Sequence, residues 1–530
     1  MNALAKVAAL GLLLVAGCGA ETAQPAQPAE PTPPAAQADV PPPLVPAMPL
    51  PENAVDNAVA KLDGMAEDLM KKSGIPGMAV AVVHGGKTLY AKGFGVKNVA
   101  AHADQQNRVD ADTVFQLASV SKSLASTVVA HQVGTNAVDW DTPIVSELPW
   151  FALSNPVVTP MVSIGDMMSH RSGLPDHAGD MLEDLGFDRR QVLERLRQLP
   201  LDPFRISYAY TNFGFTAGAE AVAANAAKPW ELLADEVLFR PLGMAATSYR
   251  FTDYQARANR AVGHIHVDGR YEPTYVRDAD AESPAGGASS SVNDMTRWLA
   301  MMLADGKHDG KQIVDAKALL PAVTPQIVSS RATEPAMRSG FYGFGFNVGS
   351  TSAARTEISH SGAFELGAGT NFVILPSADV AIIALTNATP AGVAESLTAQ
   401  FADLVQFGEV REDWYKLYSG IFAEMAKPVG SLVGKKPPAN AAPAAPPSRY
   451  VGVYRNDYWG PATVTERDGK LRLGLGSKLD VPLDHWSGDT FTFSFVSENA
   501  PPGTTSTAKF DGDKLTLEYY DTFKKGTFVK

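Results

Sequence analysis

Phe115-Gln116-Leu117-Ala118-Ser119-Val120-Ser121-Lys122-Ser123-Leu124 is the stretch whose reading decides the fold. An apolar strand end (Val114, Phe115, Leu117) runs into an apolar series at helical spacing, Leu124, Val128, Val129 and Val133, with Ala125 and Ala130 between. Ser119 is therefore predicted at or just before a helix N-terminus. Residues i and i+3 share a helix face, which sets the Lys122 side chain beside the Ser119 hydroxyl. A serine hydroxyl is a weak nucleophile that needs an adjacent base, and an amine one turn away serves. The N–H groups at a helix start also favour a developing oxyanion. Ser-x-x-Lys alone is weak: about one or two copies are expected by chance in a chain this long. A second copy stands at Ser506-Thr507-Ala508-Lys509, in a β-rich tail where no helix follows.

The chain has 530 residues, enough for more than one core, and a formal net charge of −12 from 45 Lys and Arg against 57 Asp and Glu. With no basic run, nucleic acid is excluded as the expected partner. Met1 to Lys6 is a short n-region with one positive charge, and Val7 to Gly17 is an apolar h-region too short to span a membrane. It ends in Val15-Ala16-Gly17-Cys18, similar to the bacterial lipobox, and Cys18 is the only cysteine in the chain. The expectation is an exported protein lipidated at Cys18. Gly19 in place of an aspartate points to the outer membrane, facing the periplasm. Residues 19–51 are an Ala/Pro-rich linker that cannot bury a core.

Further along, residues 55–70 read as one amphipathic helix, and Met78–Val83 and Thr88–Ala91 as a hairpin joined at Gly85-Gly86. Ser163–Ser169 is a helix start leading into His170-Arg171-Ser172-Gly173-Leu174-Pro175. Tyr210-Thr211-Asn212 lies in a loop before a helix predicted over 215–226. Pro284-Ala285-Gly286-Gly287 opens a Gly/Ser loop that launches a helix over Val292–Leu303. His360-Ser361-Gly362-Ala363 precedes strands at 371–375 and 380–385. Each triplet has decoys: Tyr454-Arg455-Asn456 for the second, and the sequences after His84, His177 and His308 for the third.

In combination and in this order, Ser119-x-x-Lys122, Tyr210-x-Asn212 and His360-x-Gly362 resemble the serine β-lactamase/penicillin-binding-protein superfamily. The segments 169–175, 284–287 and Leu385-Thr386-Asn387 fit its class C β-lactamase-like (peptidase S12-like) branch, which includes D-alanyl-D-alanine carboxypeptidases, D-aminopeptidases and esterases. The resemblance covers roughly residues 55 to 405. It implies an α/β (α+β) fold, an antiparallel sheet flanked by helices with a helical insert bearing Tyr210. It also implies Ser119 as the acylated nucleophile and Lys122 and Tyr210 sharing the general-base role, the lysine charge favouring a phenolate. Asn212 and His360 would orient substrate, Gly362 and Ala363 would line the site, and the N–H groups of Ser119 and Ala363 would form the oxyanion hole. His170 and Tyr208 are read as packing residues. No metal or organic cofactor is implied.

His360 stands where many β-lactamases and carboxypeptidases of the family place a lysine. A histidine near its ordinary pKa of about 6.5 is mostly neutral at pH 7. A neutral ester is therefore expected as a better substrate than a penicillin. The leading reading is a serine hydrolase cleaving an ester or amide, including D-amino-acid peptides, through an acyl-enzyme. The alternatives are a true β-lactamase or D-alanyl-D-alanine carboxypeptidase, or a penicillin-binding sensor that does not turn over. A small-molecule or peptide substrate and the membrane, through the anchor, are the expected partners, and self-association is left open.

The domain scheme is 1–18 signal peptide and lipobox, 19–51 linker, 52–405 hydrolase domain, 406–447 helical segment and Pro/Ala-rich linker, and 448–530 β domain. Residues 401–426 read as one helical stretch. In the tail, Leu471, Leu473 and Leu475 alternate, as do Phe491, Phe493 and Phe495, and Leu515, Leu517 and Tyr519. About eight short strands in a small barrel or sandwich follow. Tyr450-Val451-Gly452-Val453-Tyr454 resembles the lipocalin-like domain attached to some of these hydrolases. The role of the tail is open between capping the cleft, which the long linker favours, mediating self-association, and binding a small apolar ligand.

Overall fold

A computed structural model describes residues 41–102 and 104–530. The signal segment, Cys18 and most of the 19–51 linker lie outside the described residues. An eight-stranded antiparallel sheet organises the hydrolase part. Its strands are β1 (Gly77–His84), β2 (Lys87–Gly95), β3 (Ile327–Ser330), β4 (Gly340–Tyr342), β5 (Asn347–Ser350), β6 (Thr356–Phe364), β7 (Ala368–Leu375) and β8 (Val380–Thr386), in the order β2-β1-β8-β7-β6-β5-β4-β3. Gly85 and Gly86, both at positive φ, make the tight turn between β1 and β2.

The central strands are buried at nearly every position because both faces are covered. Side chains alternate across a strand. Ala79, Ala81, Val83, Ala381, Ile383 and Leu385 enter one core, and Met78, Val80, Val82, Val380, Ile382 and Ala384 the other. Helices from the two ends of the hydrolase part cover the second face: α1 (Leu62–Ser73) and, later in the chain, Val393–Phe407. On the opposite face lie α2 (Ser121–Gly134), α3 (Ile164–Met168), α4 (Asn212–Asn225) and α5 (Val292–Leu303). Helix α2 is buried almost all round, from Ser121 through Ala130.

Three predicted helices are re-bounded. Residues 55–70 form two helices, Ala54–Val59 and α1, where the Lys61 N–H bonds the Ala58 carbonyl and tightens the turn between them. The helix expected from 215 starts at Asn212, because Thr211 is extended and acts as its N-cap. The stretch 401–426 is split into α6 (Val393–Phe407) and α7 (Trp414–Met425). Gly408 ends α6 in the left-handed conformation, its N–H bonding the Leu404 carbonyl.

The tail is an eight-stranded antiparallel barrel in sequential order: β9 (Gly452–Tyr454), β10 (Ala462–Arg467), β11 (Lys470–Leu475), β12 (Leu479–Ser487), β13 (Thr490–Ser494), β14 (Thr505–Asp511), β15 (Lys514–Leu517) and β16 (Thr527–Val529). A bridge between Arg455 and Val529 joins its first and last edges, so the barrel is nearly closed. The alternating Leu471, Leu473, Leu475, Phe491, Phe493, Leu515 and Leu517 are buried inside it. The barrel packs on the hydrolase part. Arg195 Nε donates to the Tyr458 carbonyl (3.0 Å), the Ser477 N–H to the Leu185 carbonyl (2.8 Å) and Ser497 Oγ to Asp184 (2.7 Å).

Asp166 anchors the loop that carries His170. Its carboxylate is fully buried, caps α3 through Ser163 and accepts from Arg171 Nε (2.8 Å) and Arg205 Nη2 (2.8 Å). Burial opposes its charge, but the two guanidiniums prevail and hold its pKa below the usual carboxylate range. Asp166→Ala removes a buried, hydrogen-bonded carboxylate and is expected to cost about 1–3 kcal/mol in denaturant unfolding, since Arg171 and Arg205 keep part of their hydration. In the wild type, this stabilisation is full above the ordinary carboxylate pKa of about 3.9 and is lost as pH falls through the lowered folded value.

Candidate active site

Ser119 sits in a single 3-10 turn, Ala118–Val120, between the short strand Phe115–Gln116 and α2. Ala118 holds a left-handed φ of 47°, a costly conformation for alanine that turns Ser119 toward the cavity. The Gly/Ser loop is the platform beneath. Phe115–Gln116 pairs with Ser289–Ser290, the Leu117 N–H bonds the Ala288 carbonyl (2.8 Å), and the Ala288 N–H bonds Ser121 Oγ (2.9 Å). From the other side β6 closes in at Gly362. A Cβ there would lie 2.4 Å from the Leu117 carbonyl oxygen and 2.9 Å from the Ser119 nitrogen. Glycine is what lets the strand carrying Ala363 lie against the Ser119 N–H.

Two groups converge on Ser119 Oγ: Tyr210 OH at 2.7 Å and Lys122 Nζ at 3.1 Å. Lys122 is fully buried, and its Nζ also faces Asn212 Oδ1 (2.7 Å) and the Ala285 carbonyl (2.9 Å). Burial lowers its pKa to about 7, against the opposing charges of Glu282 and Asp180. Two of its three neighbours can only accept. A neutral amine therefore spends both N–H bonds on Asn212 and Ala285 and points its lone pair at the serine hydroxyl. Burial pushes the Tyr210 phenol well above its ordinary pKa, partly offset by its bond to Ser119. The phenolate expected from the sequence is thus disfavoured. Lys122 is the better proton acceptor and Tyr210 a donor.

Asn212 is spoken for at both ends, since its Nδ2 donates to Asp180 Oδ2 (2.9 Å) while Oδ1 receives Lys122. It orients the amine directly. His360 is buried and likewise engaged at both nitrogens. Its Nδ1 lies 2.6 Å from the Ser361 carbonyl, which fixes the proton there, and its Nε2 accepts from Tyr342 OH (2.8 Å). Burial, then the Lys122 charge, lowers its pKa to about 3, so it is neutral at pH 7. His170 is buried and tilted against the Tyr210 ring at 4.5 Å, with Nδ1 accepting from the Thr211 N–H. Tyr208 lines the cavity and packs on His170 and Tyr342.

The cavity in front of Ser119 holds about 540 Å³. Tyr210, Asn212, His360 and Ala363 line it, together with groups that no motif announced: Tyr342, Asp180, Glu183, Arg277, Glu282 and, from the barrel, Glu498. Glu282 was within reach of the sequence, two residues before Pro284-Ala285-Gly286-Gly287. Glu498 sits in the tail with no local pattern. Among the described residues no cluster has metal-ligand geometry.

A family model described as beta-lactamase matches residues 62–406, and one described as a domain of unknown function (DUF3471) matches 436–522. Unguisins hydrolase ungD' of Aspergillus campestris is 28% identical over 408 residues, 73% of each chain. Esterase EstB of Burkholderia gladioli is 24% identical over 65% of this chain and 94% of its own. Among solved structures, the octameric penicillin-binding protein homologue from Pyrococcus abyssi superposes with a TM-score of 0.57 at 17% identity, covering 89% of this chain and 100% of that one. With the sheet, the flanking helices and more than half of the chain matched, this protein belongs to the beta-lactamase family.

Proposed function

We propose that this family member is a serine hydrolase that cleaves an ester or amide through an acyl-enzyme on Ser119. The convergence of Lys122 Nζ and Tyr210 OH on Ser119 Oγ carries the reading. Oγ attacks the scissile carbonyl carbon as its proton passes to the neutral Lys122 amine. The N–H groups of Ser119 and Ala363 receive the oxyanion. On collapse the C–O or C–N bond breaks and the departing alcohol or amine takes a proton from Tyr210 OH, which is restored at the expense of the Lys122 ammonium. Water then attacks the acyl carbon with the same base, releasing the acid and free Ser119.

The β-lactamase and carboxypeptidase alternative asks for a fixed positive charge facing the substrate carboxylate. A neutral His360 with both nitrogens occupied does not supply one. The relatives' names span both readings, with an esterase and a hydrolase beside a penicillin-binding protein and a D-alanyl-D-alanine carboxypeptidase, so the neutral His360 is what favours the ester. Export and lipidation at Cys18 are proposed on the lipobox-like sequence alone.

Intact mass after treatment with a fluorophosphonate is expected to show one adduct on the wild type and none on Ser119→Ala. An unlabelled wild type would remove the activated serine. The labelling rate should rise with pH through about 7 as Lys122 loses its proton, and a flat profile would exclude Lys122 as the base. For turnover, kcat/KM on a neutral p-nitrophenyl ester should exceed that on benzylpenicillin by at least about a hundredfold, or about 2.7 kcal/mol; the reverse order would favour the β-lactamase reading. In cells fed an alkyne-tagged fatty acid, the wild type should take up the label and Cys18→Ser should not, and an unlabelled wild type would rule out the anchor.

A further inference from the structure

The far wall of the Ser119 cavity is acidic and is completed by the barrel. Arg277 Nη2 donates to Glu183 Oε2 (2.7 Å) and Glu282 Oε1 (2.6 Å), and its Nε stands 3.6 Å from Glu498 Oε2. Glu498 is held in place from the hydrolase side by the N–H groups of Glu365 (2.9 Å) and Leu366 (3.3 Å). One guanidinium thus faces three carboxylates. Asp180, beside Asn212, adds a fourth, paired with His177 Nδ1 at 2.8 Å. Glu183 Oε1, Glu282 Oε2 and Asp180 Oδ1 are buried with no hydrogen-bond donor in the protein. These three residues are each at most 4% exposed, yet all line the cavity that Ser119 opens into.

Buried acceptors without donors are costly, and unbalanced buried carboxylates more so. A group with three N–H donors and one positive charge corrects both. Phe364, Phe422, Met425, Val429 and Pro501 give the cavity an apolar side, next to polar lining from Asn347, Ser361 and Asn499. Resting on the serine-hydrolase reading above, we infer that the Glu183–Glu282–Glu498 wall is a subsite for a substrate ammonium group, so the enzyme acts on esters or amides that carry a free amine on an apolar body. The barrel, through Glu498, is then part of substrate selection.

Burial raises the pKa of Glu183 and Glu282, and that of Glu498 to about 8, against the lowering charge of Arg277. Asp184 and Asp180 face the same wall and raise these values further, while Lys122 lowers that of Glu282. Glu365 also lines the cavity and is raised to about 7 by burial. The wall therefore gains negative charge as pH rises from about 6 to 8.5, and its preference for a cation should grow over that window.

The test uses two fluorophosphonates of equal length, one ending in an ammonium group and one in a hydroxyl, with Ser119 labelling followed by intact mass. On the full-length wild type the ammonium probe should react at least about tenfold faster, with the ratio rising with pH; the pH dependence of Lys122 acts on both probes and cancels. Glu183→Gln and Glu498→Gln should each lower the ratio by about threefold or more. n-Butylammonium should slow labelling by the hydroxyl probe where n-pentanol at the same concentration does not, a comparison that needs no variant. Equal rates for the two probes, with Ser119 labelled, would overturn the ammonium subsite and leave the hydrolase reading standing. No labelling by either probe would overturn both.

Discussion

An amine buried at Lys122 has to be satisfied by its surroundings or it destabilises the protein that holds it. Helix α2 is sealed on every side, the Ala285 carbonyl comes from the Gly/Ser loop, and the Asn212 amide from the first turn of α4. Those two contacts bring together segments far apart in sequence. Burial, against the pull of these acceptors, lowers the proton affinity of the amine: the enclosure that makes its charge expensive makes its lone pair available. Base strength and fold integrity here have one physical source.

The central strands and the reactive turn were legible in the sequence because their signals are local, whereas the short edge strands at 327–330, 340–342 and 347–350 carry no such pattern and were not read. The unbroken apolar runs at 78–83 and 380–385 announce strands covered on both faces, and the helix over 292–303 follows its apolar spacing. Ser119 and Lys122 are one turn apart, so their juxtaposition needs no tertiary knowledge. The three re-bounded helices failed at their ends, where a cap such as Thr211 or Gly408 competes with helical periodicity. The eight alternating strands of the tail were readable for the same reason as the central strands, while the family model there carries only a domain of unknown function.

What the sequence could not give is protonation and engagement. His360 was foreseen as neutral, but its bond to Tyr342 was invisible because Tyr342 lies in no motif. The expected phenolate at Tyr210 assumed that the lysine charge would outweigh burial, and the buried site reverses that order. Asn212 was foreseen as a substrate ligand. It lines the cavity, and its amide is also engaged at both ends, by Asp180 and by the Lys122 amine. Contacts such as Glu498 with the N–H groups of Glu365 and Leu366 join positions over a hundred residues apart, which no pattern of spacing encodes.

The place of β1 in the sheet also has a consequence for synthesis. Strand β1 lies between β2 and β8, with Val80 paired to Ala384, about 300 residues downstream. As the chain leaves the ribosome, β1 and β2 form a hairpin whose open edge exposes a row of unpaired backbone groups until β8 emerges. Aggregation is most favoured in that interval. A protein translocated while unfolded would defer the pairing to the far side of the membrane, where both strands arrive on one chain and the exposed edge is short-lived.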